Sequence, residues 1–360
     1  MENLVIDPGF WHRKRVFLTG HTGFKGGWLS LLLKQLGAEV HGFALEPESS
    51  DGIFSAARIA SDVHHVVGDI REVAALADVV RETNPDIVFH LAAQALVRPS
   101  YADPVATYAT NVMGTVHLLE AVRNVPNVQA VLVVTSDKCY ENLDWPWGYR
   151  ETDALGGYDP YSNSKGCAEL VVSAYRRSFF QGAHGAAIGS GRAGNVIGGG
   201  DWSLDRLVPD MMRAFATHQQ LLIRSPDAVR PWQHVLDPLI GYMVLVEHLA
   251  SHGAPFAEAW NFGPAAASEV SVRTVVEGLT ERWGGSAAWR DDKSSRHLHE
   301  AAYLKLDCSK AQLRLGWRPL ISFEQMLQLT VDWYRAQSRG ADMRQVSSAQ
   351  IQQVLNILQK

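Results

Sequence analysis

Cysteine is scarce in this chain: Cys139, Cys167 and Cys308 are the only three in 360 residues, and none has a partner at ligand spacing. That excludes a disulfide scaffold and suits a reducing cytoplasm. No apolar run approaches the ~20 residues of a membrane span. The first fourteen residues hold early acids and no apolar stretch of the kind a signal peptide needs. Positive charge is also short. Lys and Arg number 33 against 38 Asp and Glu, a net charge of −5 with no basic run, so nucleic acid is not an expected partner. There is no internal repeat and no low-complexity tract. What remains is an ordinary soluble composition, 46% hydrophobic and 20% charged, at a length for two domains or one elaborated α/β domain.

What the chain does have is a helix opening at Tyr161-Ser162-Asn163-Ser164-Lys165, after the turn Gly156-Gly157-Tyr158-Asp159-Pro160. Pro160 suits the first helical position, where it has no N–H to lose. Ala168, Leu170, Val171, Val172, Ala174 and Tyr175 then continue an apolar face. Residues four apart share one side of a helix, so Tyr161 and Lys165 point the same way. An ammonium beside a phenol favours the phenolate, lowering a pKa of about 10 and making a base for a sugar or alcohol hydroxyl. Such a pair also occurs by chance on solvated helices and takes its meaning from its company.

Earlier in the chain, Arg15-Val16-Phe17-Leu18-Thr19 reads as a strand that enters Gly20-His21-Thr22-Gly23-Phe24-Lys25-Gly26, with a helix from about Trp28. Strand, glycine turn and helix form a pyrophosphate cradle: glycine permits close approach and the helix N-terminus supplies N–H donors. The spacing is G-x-x-G-x-x-G rather than the usual dinucleotide fingerprint. A second strand, 37–44, ends without the acid that holds the ribose of NAD, Glu46 being the nearest carboxylate, and without an arginine for a 2′-phosphate. A third strand, 65–70, ends at Asp69, which can accept from an adenine amino group or equally cap the helix at 71–82. A fourth, 86–94, runs into small residues. A helix at 104–123 carries Asn111, and a fifth strand, 130–134, ends in Thr135-Ser136-Asp137-Lys138. This alternation predicts an α/β fold, a doubly wound parallel Rossmann-type sheet with ligands beyond its carboxyl edge.

Gly20/Gly23/Gly26, the 90–94 stretch, Ser136 and Tyr161/Lys165 stand in the order of the extended short-chain dehydrogenase/reductases. The chain resembles that family from about Lys14 to about Arg335. Three stretches narrow the resemblance to the nucleotide-sugar dehydratases acting on CDP-glucose: the 20–26 loop, Thr135-Ser136-Asp137-Lys138-Cys139-Tyr140, and Arg192-Ala193-Gly194-Asn195-Val196-Ile197-Gly198-Gly199-Gly200-Asp201-Trp202. The resemblance implies NAD bound by Gly20, His21, Thr22, Gly23, Phe24, Lys25, Gly26, Asp69, Ile70, Leu91, Ala92, Ala93, Tyr161 and Lys165. It also implies the reaction. Glucose C4 is oxidised, water leaves across C5–C6, the same hydride returns to C6, and the product feeds deoxy sugars of cell-surface polysaccharide. Tyr161 is the implied C4 base, Lys165 lowers its pKa and holds the nicotinamide ribose, and Ser136 bonds the C4 oxygen. Asp137 and Lys138 stand where dTDP-glucose dehydratases carry Asp-Glu, the acid and the C5 base. Lysine is a base only when neutral; polarising the C4 ketone, or pairing with Asp137, stays open.

The implied substrate contacts are Gln94, Ser136, Asn195, Arg206, Arg230 and His299. Asn195 and its glycines offer donors to a diphosphate. Arg230, in Arg230-Pro231-Trp232-Gln233-His234-Val235-Leu236-Asp237, resembles the family's diphosphate-gripping arginine and is preferred to Arg224. Asp237 reads as a cap for a helix from Leu239. Trp145 and Trp147 are packing or a wall of the sugar pocket. His297 and His299 alternate without a third ligand, so no metal is expected. The boundaries expected are 1–190 for the NAD-binding domain and 191–340 for a smaller mixed α/β substrate domain, with crossings between them and a packing tail at 341–360. Val112, Val116, Leu119, Val171 and Tyr175, as outer helix positions, permit a homodimer. An epimerase or simple reductase has no use for an acid and base at 137–138, and a redox sensor is expected to have lost Ser136, Tyr161 or Lys165.

Overall fold

The computed structural model describes residues 6–182, 185–285, 287–292 and 303–358. Its centre is a parallel sheet of β1 (Arg15–Thr19), β2 (Glu39–Ala44), β3 (His64–Val67), β4 (Ile87–His90), β5 (Ala130–Val134), β6 (Ala187–Ala193) and β7 (Ala259–Phe262). The strand order is β7-β6-β5-β4-β1-β2-β3. β1 pairs β2 on one side and β4 on the other, so the winding reverses at β1, which opens a crevice there. The expected doubly wound α/β fold is what forms.

These strands read as apolar runs because both faces of the sheet are covered. Within β1, Val16 and Leu18 join the core on one face and Phe17 the core on the other. The first face packs α1 (Phe24–Gln35), and the second packs α2 (Val73–Thr83), α3 (Gly114–Arg123) and α4 (Pro160–Phe179). Leu119 is fully buried in this second core, so it is not an outer position. The helical run through 104–123 contains a π-helical turn at Ala109–Met113, and the preceding Val97–Ala102 helix had no sequence signal.

Beyond β6 the chain builds α5 (Leu207–Ala216), α6 (Leu236–His252), α7 (Phe323–Ser338) and α8 (Met343–Leu358). Among them lie short pairs, parallel between Gln220–Ile223 and Ala288–Asp291 and antiparallel between Val229–Pro231 and Glu269–Ser271. β7 returns from this region to the main sheet. α8 buries Ile351, Val354 and Leu355. Asp237 is a correction. The helix starts before it, and its buried Oδ1 accepts from the N–H groups of Leu320 and Ile321 at 2.8 and 3.3 Å. It pins a distant segment and caps nothing. No helix of the described residues is long and apolar enough to cross a membrane.

Candidate active site

The glycine loop leaves β1 at the switch point. Gly20 has φ +76°, and a Cβ there would lie 2.6 Å from the backbone nitrogen of Ala92. A Cβ on Gly26 would lie 2.1 Å from the Gly20 carbonyl oxygen. Neither position takes a side chain without opening the loop. α1 begins at Phe24, four residues ahead of expectation, with Gly23 as its N-cap, so Phe24, Lys25 and Gly26 form its first turn. The N–H groups of a helix's first turn have no partner within the helix, which is what binding a pyrophosphate requires. Thr22 donates to the Leu45 carbonyl at 2.9 Å. His21 is buried against His65, their ring nitrogens 2.6 Å apart, and burial holds it neutral with a pKa of about 3.

On the other wall, Leu91, Ala92 and Ala93 follow β4, and the Ala92 N–H bonds the Thr19 hydroxyl at 3.2 Å. β3 stops at Val67, so Asp69 and Ile70 lie on the loop past it. Asp69 is gripped by the Arg71 guanidinium, which lowers its pKa, and the cap of α2 is Glu72. Ile70 is buried, with its carbonyl 3.0 Å from the His117 ring. Gln94 turns inward, its amide donating to the Leu96 carbonyl at 2.9 Å and the Thr107 hydroxyl at 3.1 Å. The π-helical turn aims Asn111 at the Gln94 carbonyl and at Ser164 of α4, 2.9 and 2.8 Å away. It thereby ties the segment after β4 to the Tyr161 helix.

α4 is started by Asp159, whose carboxylate accepts from the Ser162 N–H at 2.9 Å, with Pro160 behind it. This places Tyr161 and Lys165, both buried, beneath the end of β5. Ser136 and Asp137 are buried there too, and the Ser136 hydroxyl donates to Asp137 at 2.9 Å. Burial raises the Asp137 carboxyl despite Lys138, Ser136, Lys25 and Arg230 around it. Burial likewise pushes the Tyr161 phenol up to about 12, against the help of Ser136 and Arg206. The expected partnership is therefore modified. Lys165 donates to the Val134 carbonyl at 3.3 Å, burial draws its pKa down to about 8, and the cation acting on Tyr161 is Arg206.

Arg206 caps α5 and pairs with buried Asp201 at 2.9 Å. Arg230 lies on Val229–Pro231, half-buried and within the field of Asp137. Asn195 sits between β6 and Val196–Ile197, its carbonyl accepting from Gln233 at 3.0 Å. Lys138 is half-buried on the short turn Asp137–Cys139. His297 and His299 lie outside the described residues. Trp145 stacks on Tyr149 at 5.5 Å, whereas Trp147 is exposed.

Sequence reasoning missed three features. Lys25 does more than complete the loop: its ammonium lies 5.9 Å over the Tyr242 ring, and burial lowers its pKa to about 7, with Arg206, Lys165 and Asp137 as charged neighbours. Tyr242 is a buried phenol of α6 within the field of Asp137 and Tyr161, with no sequence signal beyond an apolar helix. Behind the site, Glu169 receives bonds from Thr135, Ser190 and Arg192, the last a buried ion pair at 2.8 Å. Its spacing, one turn beyond Lys165, was the available signal.

The crevice at the switch point thus lies beside the cluster of Tyr161, Ser136 and Asp137, and the comparisons place the chain in a family. The chain matches the family described as GDP-mannose 4,6 dehydratase over residues 17–330, and it belongs to this family of nucleotide-sugar 4,6-dehydratases. It is 53% identical over 351 residues to the CDP-glucose 4,6-dehydratase of Salmonella typhimurium strain LT2, covering 96% of this chain and 98% of that one. A dTDP-glucose 4,6-dehydratase of Mycolicibacterium smegmatis is 31% identical over 286 residues, 78% of this chain and 81% of that one. In fold it is similar to the UDP-glucose-4-epimerase of Stenotrophomonas maltophila, solved with NAD and formylated UDP-arabinopyranose. The TM-score is 0.78 and the identity 23%, covering 91% of this chain and 100% of that one.

Proposed function

We propose that this protein dehydrates CDP-glucose to CDP-4-keto-6-deoxyglucose. The observation that carries the reading is the buried Asp137, its carboxyl raised toward the protonated form, beside Ser136 and Tyr161 at the end of β5. C4 oxidation alone, or epimerisation, uses no such acid. The glycine cradle, closed to any Cβ at Gly20 and Gly26, fits NAD. Bound there, NAD would supply the acceptor for the C4 hydride and its donor to C6.

The chain's own groups do the rest. Tyr161 takes the C4 hydroxyl proton, with Ser136 bonding the same oxygen and Arg206 favouring the phenolate. Lys165 holds the nicotinamide ribose. With C4 a ketone, the C5 proton is acidic; the Asp137–Lys138 pair supplies the base that removes it and the acid that protonates the departing C6 hydroxyl. Arg230 and Asn195 hold the diphosphate, and Asp69 accepts from the adenine. The 53% relative favours cytidine as the base. A homodimer is proposed across α3 and α4, where Leu170 is 58% and Met113 47% exposed beside half-buried Val112, Val116, Val171 and Tyr175.

Incubation with CDP-glucose and NAD in D₂O, followed by NMR, tests the reaction. Deuterium at C5 of a 4-keto-6-deoxy product is expected, and dTDP-, GDP- and UDP-glucose should turn over far more slowly. Preference for one of those would overturn cytidine. A C4 epimer without loss of water would overturn dehydration. Lys138→Met should abolish C5 exchange while C4 oxidation persists; undiminished exchange removes Lys138 as the base.

A further inference from the structure

The edge of the sheet farthest from β7 carries a cluster that the reaction does not use. β2 and β3 run parallel with His41 directly opposite His64. Alternate residues of a strand share a face, so Glu39 lies on the same side as His41. The two imidazoles stack with centroids 4.3 Å apart at 13°. Both Nε2 atoms converge on a single carboxylate oxygen of Glu39, at 3.1 Å from His41 and 3.5 Å from His64. The three ligand atoms all lie within 4.8 Å of one another.

We propose that Glu39, His41 and His64 bind a late first-row divalent cation such as Zn²⁺, with water completing its shell. Imidazole and carboxylate bonds to zinc are about 2.0–2.2 Å long, which sets neighbouring ligand atoms of a tetrahedron about 3.4 Å apart, close to the spacing found. Two nitrogens and one oxygen suit Zn²⁺, Ni²⁺ or Cu²⁺ and not Mg²⁺ or Ca²⁺. For both Nε2 lone pairs to meet one ion the rings must turn out of their 13° stack, and His64, 64% exposed, has room to turn. The side chains of His64 and Glu39 are 64% and 49% exposed, leaving the solvent side open to water ligands. The charge that opposes a cation here is Arg15, and its guanidinium is turned to the Thr83 carbonyl at 3.4 Å.

An ion at this position ties the edge strand β3 to β2. It also sits one residue from His65, which braces His21 of the glycine loop. The site is thus a structural staple on the cofactor half of the fold, at the opposite end of β2 from the catalytic crevice.

The test is titration of chelator-treated protein with ZnCl₂ by calorimetry, paired with thermal melts. One equivalent should bind and raise the melting temperature, since a ligand of the folded state stabilises it by mass action. His64→Ala and Glu39→Gln, both on exposed side chains, should each weaken that binding about tenfold or more and erase the shift while leaving turnover of CDP-glucose unchanged. Zn²⁺ binding of equal strength in both variants would place the ion elsewhere and overturn the assignment. So would the absence of any heat or melting shift in the parent protein at millimolar Zn²⁺.

Discussion

Tyr161 illustrates how burial and chemistry compete at one residue. Desolvation drives its pKa up to about 12, while Ser136 and Arg206 pull toward the phenolate. C4 oxidation should therefore quicken as pH rises toward that value. Tyr161→Phe should lower kcat by ~10²–10⁴-fold and flatten that pH dependence, with KM little changed; stopped-flow rates across pH check it. At Gly26 the constraint is steric. A methyl 2.1 Å from the Gly20 carbonyl oxygen forces the loop apart. Gly26→Ala should keep the circular dichroism spectrum and weaken NAD binding about tenfold or more by calorimetry, because the backbone can no longer close on the pyrophosphate. Both positions were legible in the sequence, since the side chain or its absence is itself the chemistry. The electrostatic partner of Tyr161 was not legible, because Arg206 lies 45 residues away and helix periodicity names only Lys165.

At the scale of the element, α6 carries two carboxyls that burial raises to about 7, Asp237 at its start and Glu247 near its end. Glu247 accepts from the indole of Trp11 and the N–H of Asp7, and so fastens the N-terminal turn. A carboxyl with a raised folded pKa holds its proton more tightly folded than unfolded. Its stabilising contribution is complete below the ordinary value, 3.8 for Asp237, and is lost as pH rises through about 7. Each unit of separation corresponds to about 1.4 kcal/mol. Asp237→Asn keeps the Oδ1 acceptor for Leu320 and Ile321 and removes the titration. Its urea midpoint should match the parent near pH 4 and exceed it near pH 8. A parallel decline in both proteins would show that Asp237 contributes nothing to the slope. Read from the sequence, Asp237 is a helix cap, because an acid near a helix start has that local use; its true partners lie some eighty residues on.

For the whole molecule, Val105, Met113, Leu170 and Phe179 are exposed large apolar side chains on or near α3 and α4. Covering one Leu is worth about 1.5–3 kcal/mol. Leu170→Asp should therefore convert a dimer to monomers in sedimentation velocity at micromolar concentration, and a parent protein that sediments only as monomer would sink the homodimer. The sequence by itself determined the alternation of strands and helices, the glycine cradle, the Tyr161 helix and the polar end of β5. Each of these is written in local periodicity, capping or backbone freedom over a few residues. Tertiary structure alone decided which charges meet. It brought Lys25 of the cofactor loop and Tyr242 of α6 toward Asp137, buried Arg192 against Glu169, buried Leu119 in the core rather than at the surface, and set His64 opposite His41. Those neighbours come from strand order and register across the switch point, and long-range pairing of that kind leaves no period in the chain.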